Sequence, residues 1–169
     1  YLAVDIETKA RVAIKTPSVN YEDDPAYIEM FTREAWVGGR LQSPHVVRVI
    51  GERGSKRLVY YVCEFVDGDT LRVWMQKNPR PRLSEVARIA GQIAIGLRAF
   101  HRKDMLHQDL KPENIIVDEF GCVKIIDFGS TSIAGMDELD SPTESSALVG
   151  TIGFTAPEYH LGLTPTKRS

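Results

Sequence analysis

Two rhythms of apolar and polar residues divide the chain. From Tyr1 to Asp5 and from Arg11 to Lys15 the pattern alternates or runs apolar, with Glu7-Thr8-Lys9 between, which predicts an antiparallel hairpin. Asp23 to Leu41 follows the helical period, with Pro25 near its start and Ile28, Phe31, Ala35 and Leu41 on one side; Gly38-Gly39 weakens its end. Val46–Gly51 and Leu58–Phe65 read as two further strands across the polar turn Glu52–Lys56, and Val66–Asp69 as a linker. There the pattern shifts from strand-rich to helix-rich. Leu71–Lys77 predicts a short helix, stopped by Asn78-Pro79 and Pro81. Ser84 reads as the N-cap of a helix over Glu85–Arg102, with an apolar stripe of Val86, Ile89, Ala90, Ile93, Leu97 and Phe100. Short strands at Ile115–Val117 and Val123–Ile126 flank the turn Asp118–Gly121 and put Asn114 and Asp127 at facing ends of one hairpin. Ser130–Ser146 is polar and reads as a mobile surface segment, closed by Gly150–Tyr159.

Composition narrows the setting. The 169 residues suffice for one domain with a real core or for two small lobes. Apolar residues at 43% and charged residues at 26% are ordinary for a soluble globular protein. A net charge of −2 gives no electrostatic reason to expect a nucleic acid or an anionic membrane as partner. Cys63 and Cys122 form neither a disulfide framework nor a metal-ligand spacing, which fits a reducing, cytoplasmic setting. No apolar run reaches transmembrane length and no signal peptide opens the sequence. Tyr1 begins inside an apolar stretch and Ser169 follows no closing helix, so both ends read as cuts.

The candidate chemistry gathers in His107-Gln108-Asp109-Leu110-Lys111-Pro112-Glu113-Asn114. Pro112 stiffens the run by fixing its own φ and restricting Lys111. Asp109 can accept a hydroxyl proton, Lys111 can neutralise a phosphate oxygen, and Asn114 can bind a hard cation through its carbonyl oxygen. Asp127, followed by Phe128-Gly129, supplies a second acid from the next loop. A base, a phosphate-binding cation and two magnesium ligands are what phosphoryl transfer requires.

Four motifs in order, Val12-Ala13-Ile14-Lys15, His107 to Asn114, Asp127-Phe128-Gly129 and Ala156-Pro157-Glu158, make the chain resemble a Ser/Thr protein kinase catalytic domain over nearly its whole length. The resemblance implies an α+β, two-lobe fold: a small lobe at 1–66 with an antiparallel sheet, and a helical, partial large lobe at 67–169. It implies ATP and Mg²⁺ as cofactors and a protein bearing Ser or Thr as substrate. Lys15 would bind the α- and β-phosphates and Glu34 would hold Lys15 by an ion pair. Asp109 would orient and deprotonate the substrate hydroxyl, Lys111 would contact the γ-phosphate, and Thr151 would hydrogen-bond near both. Asn114 and Asp127 would hold magnesium. Cys63 aligns with the residue behind the adenine pocket, Glu64 and Val66 would offer backbone hydrogen bonds to adenine, and Ala13 and Ile116 would sandwich the ring. Taken singly these residues have plainer readings: Lys15 as a surface lysine at a strand end, Glu34 as part of a solvated helix face, Cys63 as a small buried apolar residue. The wording of Leu106–Asn114, Ile125–Thr131 and Phe154–Tyr159 is most similar to a bacterial group in which the kinase domain follows a metal-dependent protein phosphatase domain and a membrane anchor can end the chain.

Three departures from the family pattern carry expectations. The glycine-rich loop over the phosphates is missing, because the sequence starts just beyond it. The helices that follow the Ala-Pro-Glu motif are missing too, so Glu158 is expected to lack its usual arginine and the fragment to be inactive. Gln108 stands where many kinases carry the arginine that receives an activation-loop phosphate. Two rival functions remain open on the sequence: a non-catalytic pseudokinase acting as a binding module, and a small-molecule kinase of similar fold. The full set Lys15, Asp109, Asn114 and Asp127 weighs against the first, and Lys111 with Ala156-Pro157-Glu158 weighs against the second.

Overall fold

The alternating first fifteen residues form β1 (Leu2–Val4) and β2 (Arg11–Lys15) of a computed structural model, in which residues 1–18, 24–55, 58–133, 151, 153–161 and 166–167 are described. The turn between them is tied by Asp5, whose Oδ1 accepts from the Glu7 and Thr8 amides at 2.9 and 2.7 Å. Helix α1 (Pro25–Arg40) starts where Asp24 can cap it, Oδ1 accepting from the Tyr27 amide at 3.4 Å. Its inner face buries Phe31, Glu34, Ala35 and Val37. Strands β3 (Val49–Ser55) and β4 (Leu58–Glu64) complete an antiparallel sheet in the order β1-β2-β4-β3, with Ala13 opposite Cys63.

This region differs from the sequence reading in one instructive way. The strand expected from Val46 starts only at Val49 and runs on to Ser55, through residues expected to turn; 56–57 lie outside the described residues. β3 is an edge strand, where a polar sequence is tolerated because only one side of its backbone is paired within the sheet. Val46 and Val47 leave the sheet altogether. Val46 bridges Ile125 in parallel, and the Val47 amide donates to Ile125 O at 2.8 Å.

The expected linker contains a strand, β5 (Gly68–Thr70), which pairs with β7 (Ile115–Asp118). Gly68 permits this: a Cβ there would run into Val117 O and lie 2.9 Å from Asp118 Cα. Helix α2 (Leu71–Lys77) is capped by Thr70 Oγ1, which accepts from the Val73 amide at 3.3 Å. Helix α3 spans Leu83–His101, so Ser84 sits inside its first turn and is not the cap. Glu85 reaches back instead, accepting from the Arg82 amide at 3.1 Å. The stripe on α3 is also shorter than its periodicity suggests. Ile89 and Phe100 are buried and Ile93 and Leu97 half-buried, but Val86 and Ala90 are exposed. The physical reason is where the helix lands: it packs on β6 (Met105–Leu106) and β8 (Val123–Ile125), and Gly96 lets His45 O and Ile125 come close.

β7 and β8 form the expected hairpin, β5-β7-β8. Its turn is pinned to α3: Arg88 Nη1 and Gln92 Nε2 donate to Gly121 O at 2.8 and 2.9 Å, and Gln92 Oε1 accepts from the Val123 amide at 3.1 Å. Gly121, at φ +74°, takes the left-handed conformation that side chains disfavour. The segment expected to be mobile opens with β9 (Ser132–Ile133), paired to β6; 134–150 lies outside the described residues. Pro157–His160 forms a last short helix, α4. A buried cluster runs from Phe31, Val37 and Tyr61 through Val46 and Ile125 to Phe100 and Phe128, and a second one holds Ile89, Ile115, Val117 and Val123. No helix among the described residues is long and apolar enough to cross a membrane.

Candidate active site

Proline and the hairpin together fix the loop after β6. Pro112 opens a single 3-10 turn, Pro112–Asn114, which feeds β7. Pro112 and Asn114 are buried. Just upstream, the Asp109 amide donates to His107 O at 2.9 Å, closing a tight γ-turn whose central residue, Gln108, has φ +62°. A γ-turn of that hand is rare and strained. It is held in place by its neighbours: His107 is buried with its ring 5.2 Å from that of Phe100. Burial pushes the His107 pKa down, against the opposing pull of Asp127 and Asp109, so the imidazole is favoured in its neutral form.

The strained turn aims Asp109 into a ring of donors. Its Oδ2 accepts from Lys111 Nζ at 2.6 Å and from Asn114 Nδ2 at 3.2 Å; its Oδ1 accepts from Thr151 Oγ1 at 2.9 Å and from the Thr151 amide at 3.2 Å. Lys111 Nζ also reaches Thr151 Oγ1 at 3.1 Å, and Asn114 Nδ2 also donates to Asp109 O at 3.0 Å. Partial burial works to raise the Asp109 pKa, but the hydrogen bonds from Lys111 and Thr151, then the Lys111 charge and Asn114, outweigh it and hold the carboxyl below its ordinary value.

A second group of residues converges from α1, β2 and the end of β8. Lys15 Nζ pairs with Glu34 Oε1 at 2.6 Å, and it lies 3.4 Å from Ile126 O and 5.6 Å from the centre of the Tyr61 ring. Glu34, expected on sequence alone to face solvent, is buried. Burial, reinforced by Glu34, drives the Tyr61 phenol far above its usual pKa, so Tyr61 is a neutral wall to this ion pair. The Ile126 amide donates to Asn114 O at 3.0 Å, which joins the two loops at the point where Asp127 follows. Asp127 Oδ1 accepts from the Gly129 amide at 3.1 Å, and Phe128 is buried against Phe100 at 5.8 Å between rings.

These contacts bear on whether the site suits magnesium. Asn114 spends its amide nitrogen on Asp109, so its carbonyl oxygen is the end left to meet a cation, and Asp127 adds a carboxylate. Among the described residues no three His, Cys, Asp or Glu gather into a cage. One or two protein oxygens, completed by water and phosphate, are the donor set that Mg²⁺ takes beside a nucleotide.

The residues expected around a base come from β2, β4, the segment just after β4, and β7. Ala13 and Cys63 pair across β2 and β4, with Cys63 Sγ 3.5 Å from Ala13 O. Burial raises the Cys63 pKa, against Lys15, so the thiol behaves as the small buried residue of its plain reading. Val66 and Ile116 are half-buried, Ile116 on β7 opposite Lys124. The Glu64 amide donates to Arg48 O at 3.0 Å, so of its two backbone groups only the carbonyl is left for a base. Glu158, expected to lack its usual arginine, is half-buried and takes part in an interaction within the chain.

Two residues near this site escaped the sequence reading: Tyr61 and Lys124. Lys124 had a signal. It stands between Val123 and Ile125, both fully buried, in a strand of three residues, and a cation there calls for a partner.

Comparison with known proteins gives a consistent pattern. The family model described as "Protein kinase domain" matches residues 1–167. The serine/threonine-protein kinase PrkC of Bacillus subtilis (strain 168) is 31% identical over 169 residues, 100% of this chain and 26% of that protein. A probable serine/threonine-protein kinase PknB of Lactococcus lactis is 34% identical over 160 residues, 94% of this chain and 25% of that protein. The serine/threonine-protein kinase PknA of Mycobacterium tuberculosis is 33% identical over 165 residues, 95% of this chain and 38% of that protein. The chain thus spans about a quarter of the length of the first two.

Proposed function

This chain belongs to the protein kinase domain family, and from that membership we propose that the protein carrying it transfers the γ-phosphoryl group of MgATP to Ser or Thr hydroxyls of a protein substrate. We divide the domain into a small lobe at 1–66 and a large-lobe portion at 67–169, with the nucleotide between them. The observation that carries the proposal is the Asp109 carboxylate, gripped by Lys111, Thr151 and Asn114 on a strained turn. That grip orients a carboxylate that is ionised at neutral pH, as a base for a hydroxyl must be.

The roles follow from charge and reach. The substrate hydroxyl gives its proton to Asp109 as its oxygen bonds to the γ-phosphorus; the bond from that phosphorus to the β–γ bridging oxygen breaks, and ADP leaves with the pair. Lys111 leans from Asp109 toward the transferring group and offsets its charge. Lys15, held by Glu34, neutralises the α- and β-phosphates. Asn114 and Asp127 hold Mg²⁺, which when bound neutralises phosphate oxygens. Ala13, Ile116, Cys63, Val66 and the Glu64 carbonyl seat the adenine. A reducing, cytoplasmic compartment suits the free Cys63 and Cys122.

The test is phosphotransfer by the full-length protein from γ-labelled ATP with Mg²⁺, offered a generic basic protein and, separately, small alcohols. Label on protein Ser or Thr is expected. Label on the alcohols alone, or nucleotide binding with no transfer to any acceptor, would overturn the proposal.

A further inference from the structure

Lys124 sits on β8, three residues before Asp127, and its ammonium reaches across to the end of β4. Its Nζ lies 2.6 Å from Glu64 Oε1, with the two side chains 24% and 26% exposed, so the pair is largely shielded from solvent. The same Glu64 oxygen accepts from the Arg48 amide at 2.9 Å, while the Glu64 amide returns a bond to Arg48 O at 3.0 Å. The segment 45–48 in turn lies along β8: Ile125 N donates to His45 O at 3.0 Å, Val47 N to Ile125 O at 2.8 Å, and His45 Nδ1 lies 3.0 Å from Val123 O. One carboxylate oxygen therefore closes a circuit of three segments: the end of β4, the strap after α1, and β8.

We propose that Glu64 and Lys124 are a positioning pair, which fixes the strand end that seats the adenine against the strand that delivers Asp127. The inference rests on the nucleotide site proposed above. The backbone fixes 45–47 to β8 and holds the end of β4 to β2 and to Arg48 and Val49, and the Glu64 carboxylate adds a side-chain tie that runs from that end directly to β8. A charge-assisted bond at 2.6 Å that is mostly out of water is suited to this, since it is short, directional and weakly screened. Neither side chain need touch the nucleotide. Glu64 acts through its own backbone carbonyl and Lys124 through the strand it belongs to. The arrangement also explains why a lysine is tolerated between two fully buried residues on a three-residue strand.

The test uses the full-length protein in three variants, Lys124→Met, Lys124→Arg and Glu64→Gln, together with the double variant Glu64→Gln/Lys124→Met. MgATP affinity is measured by calorimetry, KM and kcat by phosphotransfer, and unfolding by circular dichroism. Lys124→Met should weaken MgATP binding by about fivefold, the upper end for a partly exposed ion pair, and raise KM by a similar factor, with kcat changed less than twofold. Lys124→Arg, which keeps the charge and can reach Glu64, should restore affinity to within about twofold. In the double variant the losses should not add, because the two residues act through one bond. A pair that merely stabilises the fold would lower the unfolding midpoint and leave the affinity of the folded protein unchanged. That result overturns the inference, as do additive losses or tighter binding in Lys124→Met. A wild-type protein with no affinity for MgATP would instead overturn the nucleotide site itself, and the inference with it.

Discussion

Two adjacent glycines in α1 give a matched experiment on how closely that helix must pack. Gly38 and Gly39 are both within the helix, and in isolation either one changed to alanine should stabilise it by up to about 1 kcal/mol. Their surroundings are opposite. A Cβ at Gly39 would meet nothing within 4 Å, whereas one at Gly38 would run into Val49 Cγ2 and come within 2.8 Å of Phe128 Cε2. Ordinary contact begins near 3.4 Å, so the Phe128 ring must retreat by about 0.6 Å. Phe128 is buried against Phe100 and has little room to do so. Overpacking of this kind costs about 1–3 kcal/mol, which offsets the helical gain and leaves Gly38→Ala about 1 kcal/mol less stable than wild type. The displacement also reaches the chemistry, because Phe128 follows Asp127 directly. Misplacing a reacting group by about 1 Å can cost about a hundredfold in rate, so a shift near half that predicts about a tenfold loss of kcat. Urea unfolding and phosphotransfer of the full-length variants measure both. Gly39→Ala should be as active as wild type and slightly more stable. A Gly38→Ala protein matching Gly39→Ala in both respects would refute the claim that α1 and the Asp127 loop meet at a glycine by necessity.

Two further outcomes are expected. His107 has a folded pKa below its unfolded value, so the unfolded chain binds the extra proton first, and stability should fall as pH drops below about 6.5. His107→Phe, which keeps a ring against Phe100, should flatten that acid-side slope in urea titrations; an unchanged slope would show that His107 is not the group responsible. Gln108 cannot pair with a phosphate as an arginine would, so changing Ser141, Thr143, Ser145 and Ser146 together to Ala should leave kcat within about tenfold, or about 1.4 kcal/mol of barrier. These four positions lie outside the described residues, and a larger loss, with phosphate on the wild-type segment seen by mass spectrometry, would contradict the expectation.

What the sequence revealed depended on whether the signal was local. The helices, the first hairpin and the hairpin of β7 and β8 each announce themselves by periodicity and turn residues within about a dozen positions. The loop from His107 to Asn114 was legible because its chemistry is contiguous. The misreadings came where a distant partner decided the outcome. Gly68–Thr70 looks like a linker until β7 comes beside it. Val46 and Val47 have the composition of a sheet strand, yet their partner is Ile125. Ser84 has the right side chain for a cap, but Glu85 reaching back to Arg82 starts the helix earlier. The exposure of Val86 and Ala90 follows from which half of α3 meets β6 and β8, a fact that no helical wheel contains. At the site, Lys15 and Glu34 were ordinary surface residues on periodicity alone, and only the family resemblance brought them together; the structure puts them 2.6 Å apart.

The central claim is that Asp109 is the base for phosphoryl transfer, and single-turnover phosphotransfer by full-length Asp109→Asn tests it most directly. Asparagine keeps the size of the side chain and can still accept hydrogen bonds, so folding and MgATP binding should stay within about twofold, while the chemical step should slow by at least about a hundredfold, the lower range for a positioned base. A variant that transfers phosphate at a near-normal rate would contradict the account.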